Sequence, residues 1–318
     1  MTPGLILVDG FAGSGKSTAA QRLWLHLVRS GREAVWFHEH EAAHPIFEYG
    51  EVEELLRLDL DAFEEQIAGA WQAAADIAGP PAVRIVEGAF FQIPIAVMVA
   101  MNAPAARVRA MILRLDASLA GAGASLVYLS QPDTAAALAR VESRRGREWI
   151  DAIVGVLSQS PYGRRHNVRS LAGLIRYYDR QRAIVDAVLP RLAVRRLAID
   201  VSGESWKRYD RQMTSFLGIR PMPEKAPRVA DLMRHVGAYR GAATGLPCVI
   251  TTDGESLYAQ LPSTRALRLV RVDGLRFAVE SLPIDIRFTY DKAGRARRFA
   301  YESRMVNEVL ADTSWVRT

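Results

Sequence analysis

The segment Gly10-Phe11-Ala12-Gly13-Ser14-Gly15-Lys16-Ser17 carries the most specific chemistry in the chain. It follows the spacing G-x-x-x-x-G-K-[ST], in which glycines let successive backbone N–H groups turn inward and cradle phosphate oxygens. Lys16 would supply a point charge to the β- and γ-phosphates of a nucleotide, and the Ser17 hydroxyl stands where a Mg²⁺ ligand is needed. The candidate nucleotide-binding set is therefore Gly10, Ala12, Gly13, Ser14, Gly15, Lys16, Ser17 and Thr18.

A second group is acidic. Asp9 adjoins the loop and is a candidate for the Mg²⁺ shell. Glu39 and Glu41 stand in the run His38-Glu39-His40-Glu41-Ala42-Ala43-His44-Pro45, where a carboxylate could take the proton of an acceptor hydroxyl as its oxygen attacks phosphorus. The same run matches H-E-x-x-H, a zinc pattern when it lies on a helix. Pro45 disfavours helix at His44, so acceptor recognition or base work is the reading carried forward.

These groups need a scaffold. Residues 5–8 are a short apolar run of the kind that forms a buried parallel strand, and 18–30 have helical periodicity with Gly31 as a stop. Further strands are expected at 34–38, 82–86, 126–129 and 196–199, with helices at 52–77, 95–101, 105–119, 134–145, 171–189 and 206–217. A capping box is expected at 130–133. Such alternation requires an α/β fold, a parallel sheet with helices on both faces. Asp9, Glu39, Glu87, Gln131 and Asp200 fall just past strand ends, where such sheets gather ligands. Three prolines in 221–227 mark a stiff linker between an N-terminal domain (1–219) and a β-rich C-terminal domain (228–318). In the latter, a short helical patch at 229–236 precedes alternating segments at 248–251, 256–260, 266–270, 276–279 and 285–290, read as an antiparallel meander.

Composition narrows the classes. The single cysteine, Cys248, excludes an internal disulfide and a Cys-rich zinc module and fits a reducing cytoplasm. The N-terminus lacks a basic stretch before its apolar run, so no signal peptide is expected, and no membrane span is expected. The net charge of +6 is spread along the chain with a concentration of arginine at 140–169, so nucleic acid is not the expected partner.

With these elements placed, residues 4–219 resemble the P-loop kinases of the thymidylate kinase and nucleoside monophosphate kinase group. LILVDGFAGSGKST resembles their first strand and Walker A loop, LVYLSQPDTAAALARVESRRGRE their fourth strand and arginine-bearing lid, and RLAIDVS their fifth strand. The resemblance implies a P-loop kinase sandwich with strand order 2-3-1-4-5, ATP and Mg²⁺ as cofactors, and phosphoryl transfer. It makes Arg140, Arg144, Arg145 and Arg147 lid candidates that would neutralise charge on the transferring group. It places Asp200 and Ser202 by the adenine, although capping the final helix is the favoured role for them, and Glu87 as a Mg²⁺-water ligand or base. The chain departs from the group in two places. Glu87-Gly88-Ala89 lacks the arginine that holds an acceptor's phosphate, and the acidic-proline-glycine stretch after the second strand is replaced by His38–Pro45.

The expectation is thus an acceptor hydroxyl on a small, uncharged or weakly charged molecule, as in P-loop kinases that inactivate antibiotics. Phe90, Phe91, Ile93 and Trp36 are candidates to line its pocket. A nucleoside or nucleotide kinase is the first alternative, and a nucleotide-dependent switch or nucleic-acid-binding ATPase the second. The C-terminal segment weakly resembles β-domains appended to some serine-hydrolase and β-lactamase-like proteins; capping the acceptor site and forming a homodimer are both open roles for it.

Overall fold

A computed structural model describes residues 2–46, 59–76, 82–224, 226–262, 264–305 and 313–318. Five strands, β1 (Leu5–Asp9), β2 (Ala34–Phe37), β3 (Val83–Glu87), β4 (Ser125–Ser130) and β5 (Arg195–Asp200), form one sheet in the order β2-β3-β1-β4-β5. Every pairing is parallel, as the resemblance implies. The central strand β1 is buried throughout, and its alternating side chains divide the core. Leu5 and Leu7 join one apolar cluster with α2 (Leu60–Asp76), α3 (Gln92–Ala100), α4 (Ala105–Ser118) and α8 (Leu171–Val188). Ile6 and Val8 face the other, with α1 (Lys16–Arg29) and α9 (Trp206–Leu217).

Three helices between β4 and α8 cover the loop side: α5 (Thr134–Arg145), α6 (Arg147–Gln159) and α7 (Pro161–His166). The expected capping box is corrected here. Asp133, not Ser130, is the N-cap of α5, and its carboxylate accepts the Ala136 amide at 2.9 Å. The first part of the helix expected at 52–77 lies outside the described residues; the remainder is α2.

After a short helix, α10 (Val229–Met233), eight antiparallel strands close into a barrel. They are β6 (Gly237–Gly241), β7 (Pro247–Thr252), β8 (Leu257–Gln260), β9 (Leu267–Arg271), β10 (Arg276–Val279), β11 (Ile284–Tyr290), β12 (Ala296–Ser303) and β13 (Ser314–Arg317). Neighbours in sequence pair throughout, and β13 returns to β6 through Trp315↔Gly241 and Val316↔Arg240. The expected meander is therefore a closed up-and-down barrel, which leaves no sheet edge exposed.

The barrel is seated on the α1 and α9 layer. Val270, Val272 and Ala278 belong to the same apolar cluster as α1. The Gln21 side chain is buried and bridges to barrel backbone, donating to the Val279 carbonyl at 2.8 Å and accepting from the Ser281 amide at 2.8 Å. Within the proline-rich segment, the Met222 amide donates to His26 Nδ1, and Glu224 pairs with Arg268 at 3.2 Å. The segment is thus pinned at both ends to the elements it joins.

Candidate active site

Adjacency in the sheet brings the chemistry together. Because β3 lies between β1 and β2, Glu87 at the end of β3 and Glu39 just past β2 both fall beside the loop that follows β1. Lys16 Nζ lies 3.0 Å from Glu39 Oε2 and 3.9 Å from Glu87 Oε1. Ser17 Oγ is 2.5 Å from Glu87 Oε1, while the Trp36 indole N–H donates to Glu87 Oε2 at 3.2 Å. Gln92 at the start of α3 donates its amide to Glu39 Oε2 at 2.7 Å.

All three charged groups are buried, and their protons follow from that. Burial, helped by the Glu39 charge and opposed by Lys16, raises Glu87 above the usual carboxylate range. Burial acts on Glu39 in the same sense, but Lys16 and the neighbouring imidazoles outweigh it and hold Glu39 low. Burial likewise works against the Lys16 ammonium, and Glu39 and Glu87 more than restore it. The cluster thus holds an ammonium, one carboxylate and one protonated acid, a neutral set that burial tolerates.

The loop itself is shaped by glycines that no other residue replaces. Gly13 and Gly15 have φ of +77° and +82°, and a Cβ would meet Val141 of α5 at 2.2 Å and the Trp206 ring at 2.3 Å. The loop therefore lies directly under α5 and the start of α9, with Gly15 as N-cap of α1 and its helix dipole pointing at the cradle.

Asp9 holds a different position from the metal shell expected of it. Its Oδ1 accepts from the amides of Gly10 at 2.7 Å and Gln92 at 3.1 Å, and its Oδ2 from those of Phe90 at 3.0 Å and Phe91 at 2.7 Å. Four acceptances fill its lone-pair directions, so the carboxylate ties the loop to the head of α3. Burial pushes its pKa up to about 6 against those amides. Because the folded pKa is raised, the contribution of Asp9 to stability is full below about pH 4 and is lost as pH rises through 6. Asp9→Asn replaces one acceptor oxygen by a donor facing two backbone amides and is expected to destabilise the fold by about 2–4 kcal/mol. Its unfolding free energy should also depend less on pH between 4 and 6, which denaturant titration at the two pH values would measure.

The remaining candidates are distributed unevenly. Thr18 faces away from the loop, its hydroxyl 2.7 Å from Ser281 of the barrel. Glu41 is buried in an ion pair with Arg304 just beyond β12, at 2.6 Å, and accepts the His38 amide. Residues 41–44 form a bridge and turn rather than a helix, so His40 and His44 do not share a helical face in the manner the zinc pattern requires. Arg140 and Arg144 converge on Glu204 at 3.7 and 2.6 Å, in the loop before α9. Arg147 is exposed and pairs with Glu142 and Asp151 on the surface. Asp200 accepts the amide of Ser202 in its own loop, and Ser205 rather than either of them is the N-cap of α9. Phe90 and Phe91 lie in the core beneath α2 and β4, with Phe90 against Trp71 and Phe91 against Tyr128. Trp36 is equally buried, so these rings support the site from behind.

Sequence reasoning passed over three residues near Glu39, namely Gln92, Tyr178 and Phe11, and did not single out Arg145 among the lid arginines. Gln92 orients Glu39. Tyr178 of α8 lies edge-on to Phe11 with ring centroids 6.1 Å apart, and the Glu39 charge acts on its phenol. Arg145, at the end of α5, acts on both His40 and Tyr178. The sequence signals were an amide four residues after Gly88 of the Gly88-Ala89-Phe90 turn and a paired Tyr177-Tyr178 on a helix.

No family model matches the chain, and no curated protein matches it. Solved structures similar to it include deoxyadenosine kinase from M. mycoides with bound dATP, at 15% identity over 67% of this chain and 99% of that chain, TM-score 0.41. Thymidylate kinase from Candida albicans matches at 14% identity over 68% of this chain and 92% of that chain, TM-score 0.40. A sugar kinase from Janibacter sp. matches at 16% identity over 70% of this chain and 97% of that chain, TM-score 0.37.

Proposed function

We propose that the chain is an ATP- and Mg²⁺-dependent kinase that transfers the γ-phosphoryl group to a hydroxyl of a small molecule. The observation that carries this reading is the meeting of Lys16 and Ser17 with two buried carboxylates of unlike proton affinity, Glu39 and Glu87. Two neighbouring acids pushed apart in this way are the usual arrangement for dividing base and ligand roles.

The residues fit the nucleotide and the metal. Backbone amides of Gly13 to Ser17 and the Lys16 ammonium would hold the phosphates, and the hard oxygen pair of Ser17 and Glu87 suits Mg²⁺. When bound, ATP supplies the phosphoryl group and Mg²⁺ neutralises charge on it. Glu87 must then give up its proton, since a metal ligand is deprotonated. Glu39 is already ionised and, held by Gln92, takes the proton of the acceptor hydroxyl. Arg145, whose charge acts on His40, is favoured over the surface-paired Arg147 as the cation to close over the transferring group.

An uncharged acceptor is favoured because no arginine follows Glu87, and aromatic and amide groups of Tyr178, Phe11 and Gln92 stand beside the cations around Glu39. Nucleosides fall within that class. Incubation with γ-labelled ATP and a panel of nucleosides, nucleoside monophosphates and aminocyclitol or macrolide alcohols tests the reading. Label is expected on an uncharged alcohol; transfer confined to nucleoside monophosphates, or to none of the panel and water alone, would contradict it.

A further inference from the structure

The barrel is filled at one end and hollow at the other. At the α10 end, His235 packs edge-on against Phe277, Phe288 and Tyr290, and Tyr239 against Phe288 and Phe299, so aromatic rings plug the interior. Toward the opposite end, where β7 begins and β8, β10 and β12 finish, the inward residues include the small side chains of Cys248 and Ala259. A cavity of 380 Å³ remains there, walled chiefly by apolar side chains. That volume lies within the range of small-molecule sites, about 300–1,000 Å³. Eight strands are also enough to enclose one small ligand.

Two features of the wall define what would occupy it. Trp315 and Phe299 both line the cavity and are stacked, their planes 11° apart, which makes one side flat. Trp315 is 1% exposed, and its indole N–H has no hydrogen-bond partner among the described residues. A buried donor left unpaired in an apolar wall is costly, and an acceptor on a ligand would remove that cost. From this cavity and donor, we infer that the barrel binds a flat or elongated apolar molecule carrying one hydrogen-bond acceptor, such as a ketone or ester. The site lies at the end of the barrel that meets the α/β domain. Met305 on its rim bridges to Glu41, and Leu282 lends its carbonyl to Gln21. The ligand is distinct from the phosphoryl acceptor, and the inference does not depend on the kinase reading.

The full-length protein titrated with 6-propionyl-2-dimethylaminonaphthalene, a flat fluorescent ketone, tests this. Saturable binding of one probe per chain with blue-shifted emission is expected. Cys248 is the only cysteine and lines the cavity, so its modification by N-ethylmaleimide should slow by about fivefold or more when the probe is bound. Trp315→Phe keeps the ring and removes the donor; it should weaken binding by about three- to tenfold. Ala259→Trp fills the space and should weaken it by about tenfold or more. If that variant does not fold, the other two measurements decide. Absence of saturable binding would overturn the inference, as would binding that changes neither the Cys248 rate nor on Trp315→Phe.

Discussion

Replacing Lys16 by methionine is expected to lower the rate of phosphoryl transfer by about a thousandfold or more, because the cation nearest the transferring group is lost. The substitution has a second consequence, independent of substrate, that follows from the buried cluster. Glu39 loses the ammonium 3.0 Å away that holds its pKa below the usual carboxylate value. In the native protein that depression contributes stability above about pH 4, which is lost as pH falls further. In the variant, burial is opposed only by the His40 and His38 imidazoles, so the pKa of Glu39 rises. The stabilisation that the ionised Glu39 contributes above about pH 4 is then diminished, while at lower pH little changes. Lys16→Met should therefore be nearer to wild type in melting temperature at pH 5 than at pH 8. A uniform loss at both values would show that the lysine and Glu39 are not electrostatically paired.

Glu39→Gln is expected to reduce kcat by about a hundred- to ten-thousandfold, the range for loss of a positioned base, with little change in the affinity for ATP. Glu87→Gln should act differently. The glutamine keeps an acceptor for the Trp36 N–H but is a poorer Mg²⁺ ligand than a carboxylate, so the loss should be partly recovered at high Mg²⁺. The two variants assayed across a Mg²⁺ series separate the roles. Recovery of Glu39→Gln by Mg²⁺, with none for Glu87→Gln, would exchange the assignments.

Local pattern carried the reading where a single segment decides its own structure. The run at 5–8 and the glycine-spaced loop after it could form only a strand and a turn, and α9 has the expected bounds because Gly218 in the left-handed conformation stops it. α6 was not legible: only Ile150 and Leu157 are fully buried along it and its first turn is charged, so its apolar face is thin. Closure of the barrel was hidden for another reason. β6 is flanked by glycines and β13 is four residues long, and the pairing between them joins segments some seventy residues apart, which no local periodicity records. The site divides along the same line. Glu39 and Glu87 were visible because strand ends of adjacent strands must meet. Glu41 was not separable from Glu39 in sequence, since its partner Arg304 arrives from the barrel. Asp9 likewise depends on amides beyond β3 that only the folded turn presents.

The central claim is that the loop at the head of α1 grips a nucleoside triphosphate through its amides and Lys16. Calorimetric titration of the protein with a non-hydrolysable ATP analogue in the presence of Mg²⁺ tests it most directly. The account predicts one site per chain in the wild type and a large loss of affinity in Lys16→Met; absence of binding, or equal binding by both proteins, would contradict it.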